Sequence, residues 1–113
     1  MEIRVANTFW KRLKGLIGKS VLGEDQGLFF PRCSQVHTWG MRFPIDVVWI
    51  DRTGKIEEIE SLAPWKVSRY HKNAYGCIEV VSGGAAKQSW RVGSTIPDRV
   101  CNVDKEVDVL PGV

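Results

Sequence analysis

The sequence predicts an α+β fold: one β-rich domain over residues 1–113, built on an antiparallel, partly open barrel-like sheet with one N-terminal helix and a short late helix. Three observations carry this expectation. Short runs rich in β-branched and aromatic residues, such as IDVVWI at 45–50 and CIEVV at 77–81, recur between turn-forming clusters. Near the start, Phe9, Leu13, Leu16 and Ile17 recur at three- and four-residue spacing, as one face of a helix does. The 113 residues, 43% hydrophobic and 26% charged, suit one soluble domain able to bury roughly two-thirds of its unfolded surface.

Taken in order, residues 3–6 (IRVA) alternate like a short strand, and Asn7 or Thr8 supplies a side-chain oxygen to cap the helix expected from Phe9 to Ile17. Gly18 stands where that helix would end. Gly15 inside it costs up to about 1 kcal/mol against Ala, which a ligand approaching the backbone or, the favoured account, close packing on a sheet would explain. The run GLFF at 27–30, closed by Pro31, reads as a buried strand. Strand 45–50 leads through the turn Asp51-Arg52-Thr53-Gly54 into 55–62, a hairpin whose second strand does not alternate strictly, so that a bulge is expected. Residues 64–70 are expected as an edge strand, and 70–76 as an exposed loop. Strand 77–81 ends at Ser82-Gly83-Gly84, AAKQSW gives one or two helical turns, and 99–103 is a last strand candidate.

The segment from Cys33 to Asp51 concentrates side chains able to do chemistry: a thiol, an imidazole, an indole, a guanidinium and a carboxylate. Cys33 and His37 are four apart. An imidazolium beside a thiol favours the thiolate, the basis of a nucleophilic dyad. A buried cysteine with a hydrogen-bonded histidine is the plainer use of the same spacing. Cys33, His37, His71 and Cys77 also contain the two sulfurs and two nitrogens that tetrahedral zinc accepts, but without the tight Cys-x2-Cys spacing of zinc knuckles, so no metal is expected. Asp46 lies in an apolar strand and must face solvent, cap a backbone amide, or pair with a cation such as Arg42 or Arg12. Glu79 is in the same position, and alternation with Ile78 and Val80 sends it outward. Five tryptophans, Trp39 among them, could line an aromatic surface.

Three cysteines at wide spacing are not a disulfide framework, so free thiols are the expectation. The formal charge of +3 is uneven: residues 1–56 hold nine Lys or Arg against five Asp or Glu, and the rest seven against eight. A nucleic-acid partner rests on this charge alone and is not favoured over a solvated basic helix face. No apolar run suits a membrane span or a secretory leader, and the chain is read as cytoplasmic.

The strings TFWKRLKGLIGK, GLFF, HTWGMRFPIDVVWID, IEVVSGG and WRVGS resemble the domain of unknown function 192 family, also called uncharacterised protein family 0127, over about residues 6–96. The Arg12 to Leu16 helix and the Met41 to Asp46 block are the most specific matches, and the Val36-His37-Thr38 version looks like a bacterial branch. Ser94 departs from the acidic residue many relatives carry there. The resemblance implies a small α+β domain with no established activity, cofactor or partner. The expectation is thus a binding domain whose pocket is built from Cys33, His37, Trp39, Met41, Arg42 and Asp46, with Arg12 reaching in, and whose ligand is small and polar or anionic. The alternative is a small hydrolase or thiol-transfer enzyme with Cys33 as nucleophile, His37 as base, Asp46 as orienting carboxylate and Arg42 stabilising negative charge. Neither reading calls for a cofactor, and neither fixes an oligomeric state.

Overall fold

A computed structural model describes residues 2–5 and 26–96. The expected helix 9–17, Arg12, Cys101 and the strand candidate 99–103 lie outside the described residues. The strands are β1 (Glu2–Val5), β2 (Gln26–Pro31), β3 (Ile45–Ile50), β4 (Ile56–Leu62) and β5 (Gly76–Val81), followed by a single helical turn, α1 (Gly84–Lys87). They form one sheet in the order β1-β2-β5-β3-β4, in which β2, β5, β3 and β4 are antiparallel neighbours and β1 runs parallel to β2. The described strands make an open sheet with β1 and β4 at its edges rather than a closing barrel.

Both faces of this sheet are covered, and strand alternation assigns each side chain to one of two cores. Leu28, Phe30, Ile45, Val47, Trp49, Leu62 and Cys77 pack on the first face, beneath Cys33 and Val36. Phe29, Val48, Ile50, Ile56, Ile78 and Val80 pack on the second, beneath Ala85 and Ile96. The central strands β3 and β5 therefore read as continuous apolar runs, with both faces buried. The same fact corrects the expectation for Glu79. Opposite to Ile78 and Val80 there is no solvent but the first core, and Glu79 is 4% exposed between its cross-strand neighbours Leu28 and Val47.

The β3–β4 hairpin turns where the sequence places it. Asp51 Oδ1 accepts from Thr53 N (2.8 Å), Thr53 Oγ1 (2.6 Å) and Lys55 N (3.0 Å), and Gly54 takes φ 87°. These bonds, the Thr53 hydroxyl first, hold the Asp51 carboxyl below its usual range. The register shifts at Trp49/Ile50, so Ile56 and Ile59 both face the second core although they are an odd three positions apart, while Leu62 faces the first. Close approach explains Gly76, where a Cβ would collide with the Phe30 carbonyl oxygen.

Residues 64–70 do not form the expected edge strand. Trp65 takes a left-handed φ of 62°, and the segment makes one isolated bridge, Val67 to His37. Its backbone instead bonds to the loop that follows β2: Thr38 N donates to Lys66 O (2.8 Å), Ser68 N to Val36 O (2.9 Å) and His71 N to Ser34 O (2.8 Å). Two buried hydroxyls reinforce this seam. Thr38 Oγ1 donates to Ala63 O (2.7 Å) and accepts from Lys66 N (2.8 Å), and Ser68 Oγ accepts from Val36 N (3.0 Å). Replacing Thr38 with Val keeps the shape and removes both hydroxyl bonds. The expected cost is about 1–3 kcal/mol, read as a lower urea midpoint with an unchanged m-value.

Candidate functional site

The paired loops 32–38 and 65–71 lie over one end of the first core and present exposed side chains above it. At the end of β2 the chain turns sharply, with Arg32 at φ 54°, and Cys33 N donates to Tyr75 O (3.2 Å) beside β5. Beyond this turn lies a cleft of about 400 Å³ lined by Arg32, Cys33, His37, Trp39, Val67 and Tyr70, with Ser34, Gln35 and Val36 completing its wall. A second hollow of about 510 Å³ shares Arg32 and Ser34 with it and adds Arg52, Thr53 and Asn73. Arg52 holds its guanidinium 4.8 Å above the Tyr75 ring.

Three residues expected at the site, Cys33, His37 and Trp39, line this one cleft. Trp39 is 51% exposed and meets Trp65 edge to face with ring centroids 5.6 Å apart. The His37 ring lies 6.2 Å from Trp39, and its Nδ1 accepts from the Trp39 amide (3.2 Å), which leaves Nε2 as the protonated nitrogen of the neutral ring. Partial burial lowers the His37 pKa, so the ring is neutral at pH 7. The Cys33 thiol donates to the Gln35 carbonyl oxygen (3.2 Å) and lies against Cys77. The described contacts of the thiol and of the imidazole thus lead in different directions.

The other expected residues lie elsewhere. Met41 packs on the first core, and Arg42 is exposed and outside the lining of the cleft. Asp46 alternates with Ile45 and Val47 and so projects on the second face, away from Cys33. Both its oxygens are engaged: Oδ1 accepts from Ser61 Oγ (2.9 Å) and Oδ2 from Gly83 N (2.9 Å), which ties the turn before α1 to the sheet. Of the three roles open to Asp46, backbone capping is the one it plays.

The loop 65–71 is held by a cluster that the sequence did not reveal. His71 stacks on Trp49, with centroids 4.1 Å apart and planes 20° apart, and its Nε2 bonds Glu60 Oε1 (2.9 Å). Glu60 also accepts from Trp49 Nε1 (3.2 Å) and Arg69 N (3.0 Å), while Glu58 pairs with the Arg69 guanidinium. Glu58 and Glu60 face the first core side of β4 by their register with Trp49 and Val47, which puts both beneath the loop. Their i, i+2 spacing in a strand was the available signal, and it needs the His71 loop to acquire meaning. Among the described residues no group of three or more His, Cys, Asp or Glu is arranged to hold a metal ion.

Residues 1–97 match the family DUF192, described as uncharacterized ACR, COG1430. The chain belongs to the DUF192 family. No curated protein matches it. Two crystal structures share the fold of this DUF192 domain. One, from Sinorhizobium meliloti 1021 and described as a "putative transcription regulator (R01717)", is 20% identical with a TM-score of 0.64, covering 82% of this chain and 78% of that one. The other, a protein of unknown function from Novosphingobium aromaticivorans DSM 12444, is 19% identical with a TM-score of 0.65, covering 82% and 71%. At these identities the likeness speaks to the fold alone.

Proposed function

We propose that this DUF192 domain is a binding module that takes a small polar or anionic ligand in the cleft between the loops 32–39 and 67–70. The observation that carries the reading is the gathering of Arg32, His37, Trp39 and Tyr70 around one concavity of about 400 Å³. Trp39 and Tyr70 offer ring faces, the neutral His37 keeps one N–H donor, and Arg32 lines the wall shared with the neighbouring hollow. The seam of hydrogen bonds beneath them, centred on Thr38 and Ser68, fixes the backbone that carries these side chains before a ligand arrives, which lowers the entropic cost of ordering the loops on binding. The hydrolase or thiol-transfer reading has less support: Cys33 and His37 share the cleft, but Asp46 projects on the opposite face with both oxygens occupied.

Thermal-shift measurements with inorganic phosphate, nucleoside monophosphates, dicarboxylates and acidic sugars test the proposal, because a ligand of the folded state raises the melting temperature by mass action. At least one of these probes is expected to do so. Trp39→Ala should weaken that probe about tenfold or more, equivalent to ~1.4 kcal/mol, while barely changing the melting temperature of the free domain, since Trp39 is half exposed. A panel without effect, or equal affinity in the variant, overturns the reading.

A further inference from the structure

We propose that Cys33 and Cys77 are a reversible dithiol–disulfide pair, with Cys33 as the residue that meets the oxidant and Cys77 as the residue that resolves it. Neither is in a disulfide, both lie in the same core on segments held together by the Cys33 N to Tyr75 O bond, and their side chains are near enough to interact electrostatically. Both are buried, but Cys33, 4% exposed, borders the 400 Å³ cleft, whereas Cys77, 0% exposed on the central strand β5, does not. Glu79, two residues further along the same face of β5, is also close enough to Cys33 to feel its charge. Burial keeps Glu79 protonated at neutral pH, so it adds no negative charge against a thiolate forming beside it. Burial likewise pushes the Cys77 thiol up, and of the two only Cys33 borders the cleft by which an oxidant would arrive.

The oxidant required is hydrogen peroxide, a molecule small enough to enter the cleft. Cys33 Sγ attacks one peroxide oxygen: an S–O bond forms, the O–O bond breaks, and the departing hydroxide leaves as water with the thiol proton. Cys77 Sγ then attacks Cys33 Sγ: the S–S bond forms, the S–O bond breaks, and the second oxygen leaves as water with the Cys77 proton. The two thiols lose two electrons to the peroxide, and a small dithiol reverses the change. The resulting bridge closes the chain between 33 and 77 and fixes the wall of the cleft to the central sheet. The inference stands apart from the ligand proposal, since it uses neither His37 nor Trp39.

The test uses the full chain with Cys101→Ser, so that the third thiol does not compete, treated with hydrogen peroxide, quenched with an alkylating agent and digested without reduction. The expected product is a Cys33–Cys77 linked peptide in a monomer lighter by two hydrogens, restored by dithiothreitol, with a higher unfolding midpoint while oxidised. In the further variant Cys77→Ser, dimedone should trap a sulfenic acid at Cys33, and in Cys33→Ser residue 77 should stay unmodified. If the oxidised Cys101→Ser chain shows sulfinic acid at Cys33 without the linked peptide, or if both thiols remain fully alkylated after peroxide, the proposal is overturned. That first measurement decides the matter even where a second variant fails to fold.

Discussion

Glu79→Gln is expected to remove a large part of the pH dependence of unfolding between about pH 4.5 and 8. In the folded chain burial, reinforced by the nearby Cys33 sulfur, raises the Glu79 carboxyl from 4.5 to about 8. A group raised in this way contributes its full stability below the unfolded value of 4.5, where both states bind the proton. Above that value the unfolded chain releases the proton and the folded one keeps it, so stability falls with rising pH until the folded value near 8 is passed. Each pH unit in the window is worth about 1.4 kcal/mol, giving a total of several kcal/mol. Glutamine keeps the size and the neutral polar character of the protonated acid and cannot titrate. Urea denaturation of both proteins from pH 4 to 9 should show curves that coincide at the acid end and separate above pH 5, with the variant the more stable at pH 8. Parallel curves would mean that the side chain is not held protonated in the core.

The second large effect is expected at Trp49. Its ring is 0% exposed near the end of β3, carries the stacked His71 ring and donates Nε1–H to Glu60. Truncation to Ala removes the largest buried side chain of the first core and leaves Glu60 and His71 without their shared support. A loss of about 3–5 kcal/mol is expected, a large part of the roughly 5–15 kcal/mol by which a domain is ordinarily stable. Trp49→Phe keeps most of the stacking surface and gives up the Nε1 bond, for which about 1–2 kcal/mol is expected. Chemical denaturation read by far-UV circular dichroism measures both, since it does not depend on the fluorophore removed. A Trp49→Ala protein within 1 kcal/mol of the parent would show that the loop 65–71 is not anchored through this ring.

What the sequence disclosed was local. IDVVWI and CIEVV became β3 and β5, the Asp51 to Gly54 tetrad became the hairpin turn, and the broken alternation of Ile56, Ile59 and Leu62 was the trace of a bulge. What it concealed depends on residues far apart along the chain. Glu79 could be assigned to solvent only if one face of the sheet were bare, and the covering of both faces is decided by loops rather than by the strand itself. Trp65 and Val67 alternate as a strand should, yet the Thr38 hydroxyl and the Gln35 side-chain amide bond the backbone at 63–68 from residues 25–33 positions away. The candidate site was legible in the same uneven way. Cys33, His37 and Trp39 share one loop and arrive together, whereas Asp46 was placed with them by proximity in sequence and separated from them by strand alternation. The Trp49, Glu60 and His71 cluster joins residues on three segments, and no periodicity announces it.

The claim at the centre of this account is that the cleft above the paired loops is where a ligand sits. Its most direct test is a map of amide chemical-shift changes on a ¹⁵N-labelled chain titrated with whichever of phosphate, nucleoside monophosphate, dicarboxylate or acidic sugar stabilises the fold. The account predicts saturable shifts concentrated at 32–39 and 67–70, extending to Arg52 and Thr53 if the ligand also enters the adjoining hollow. Shifts centred on another surface, or none with any of these probes, would contradict it.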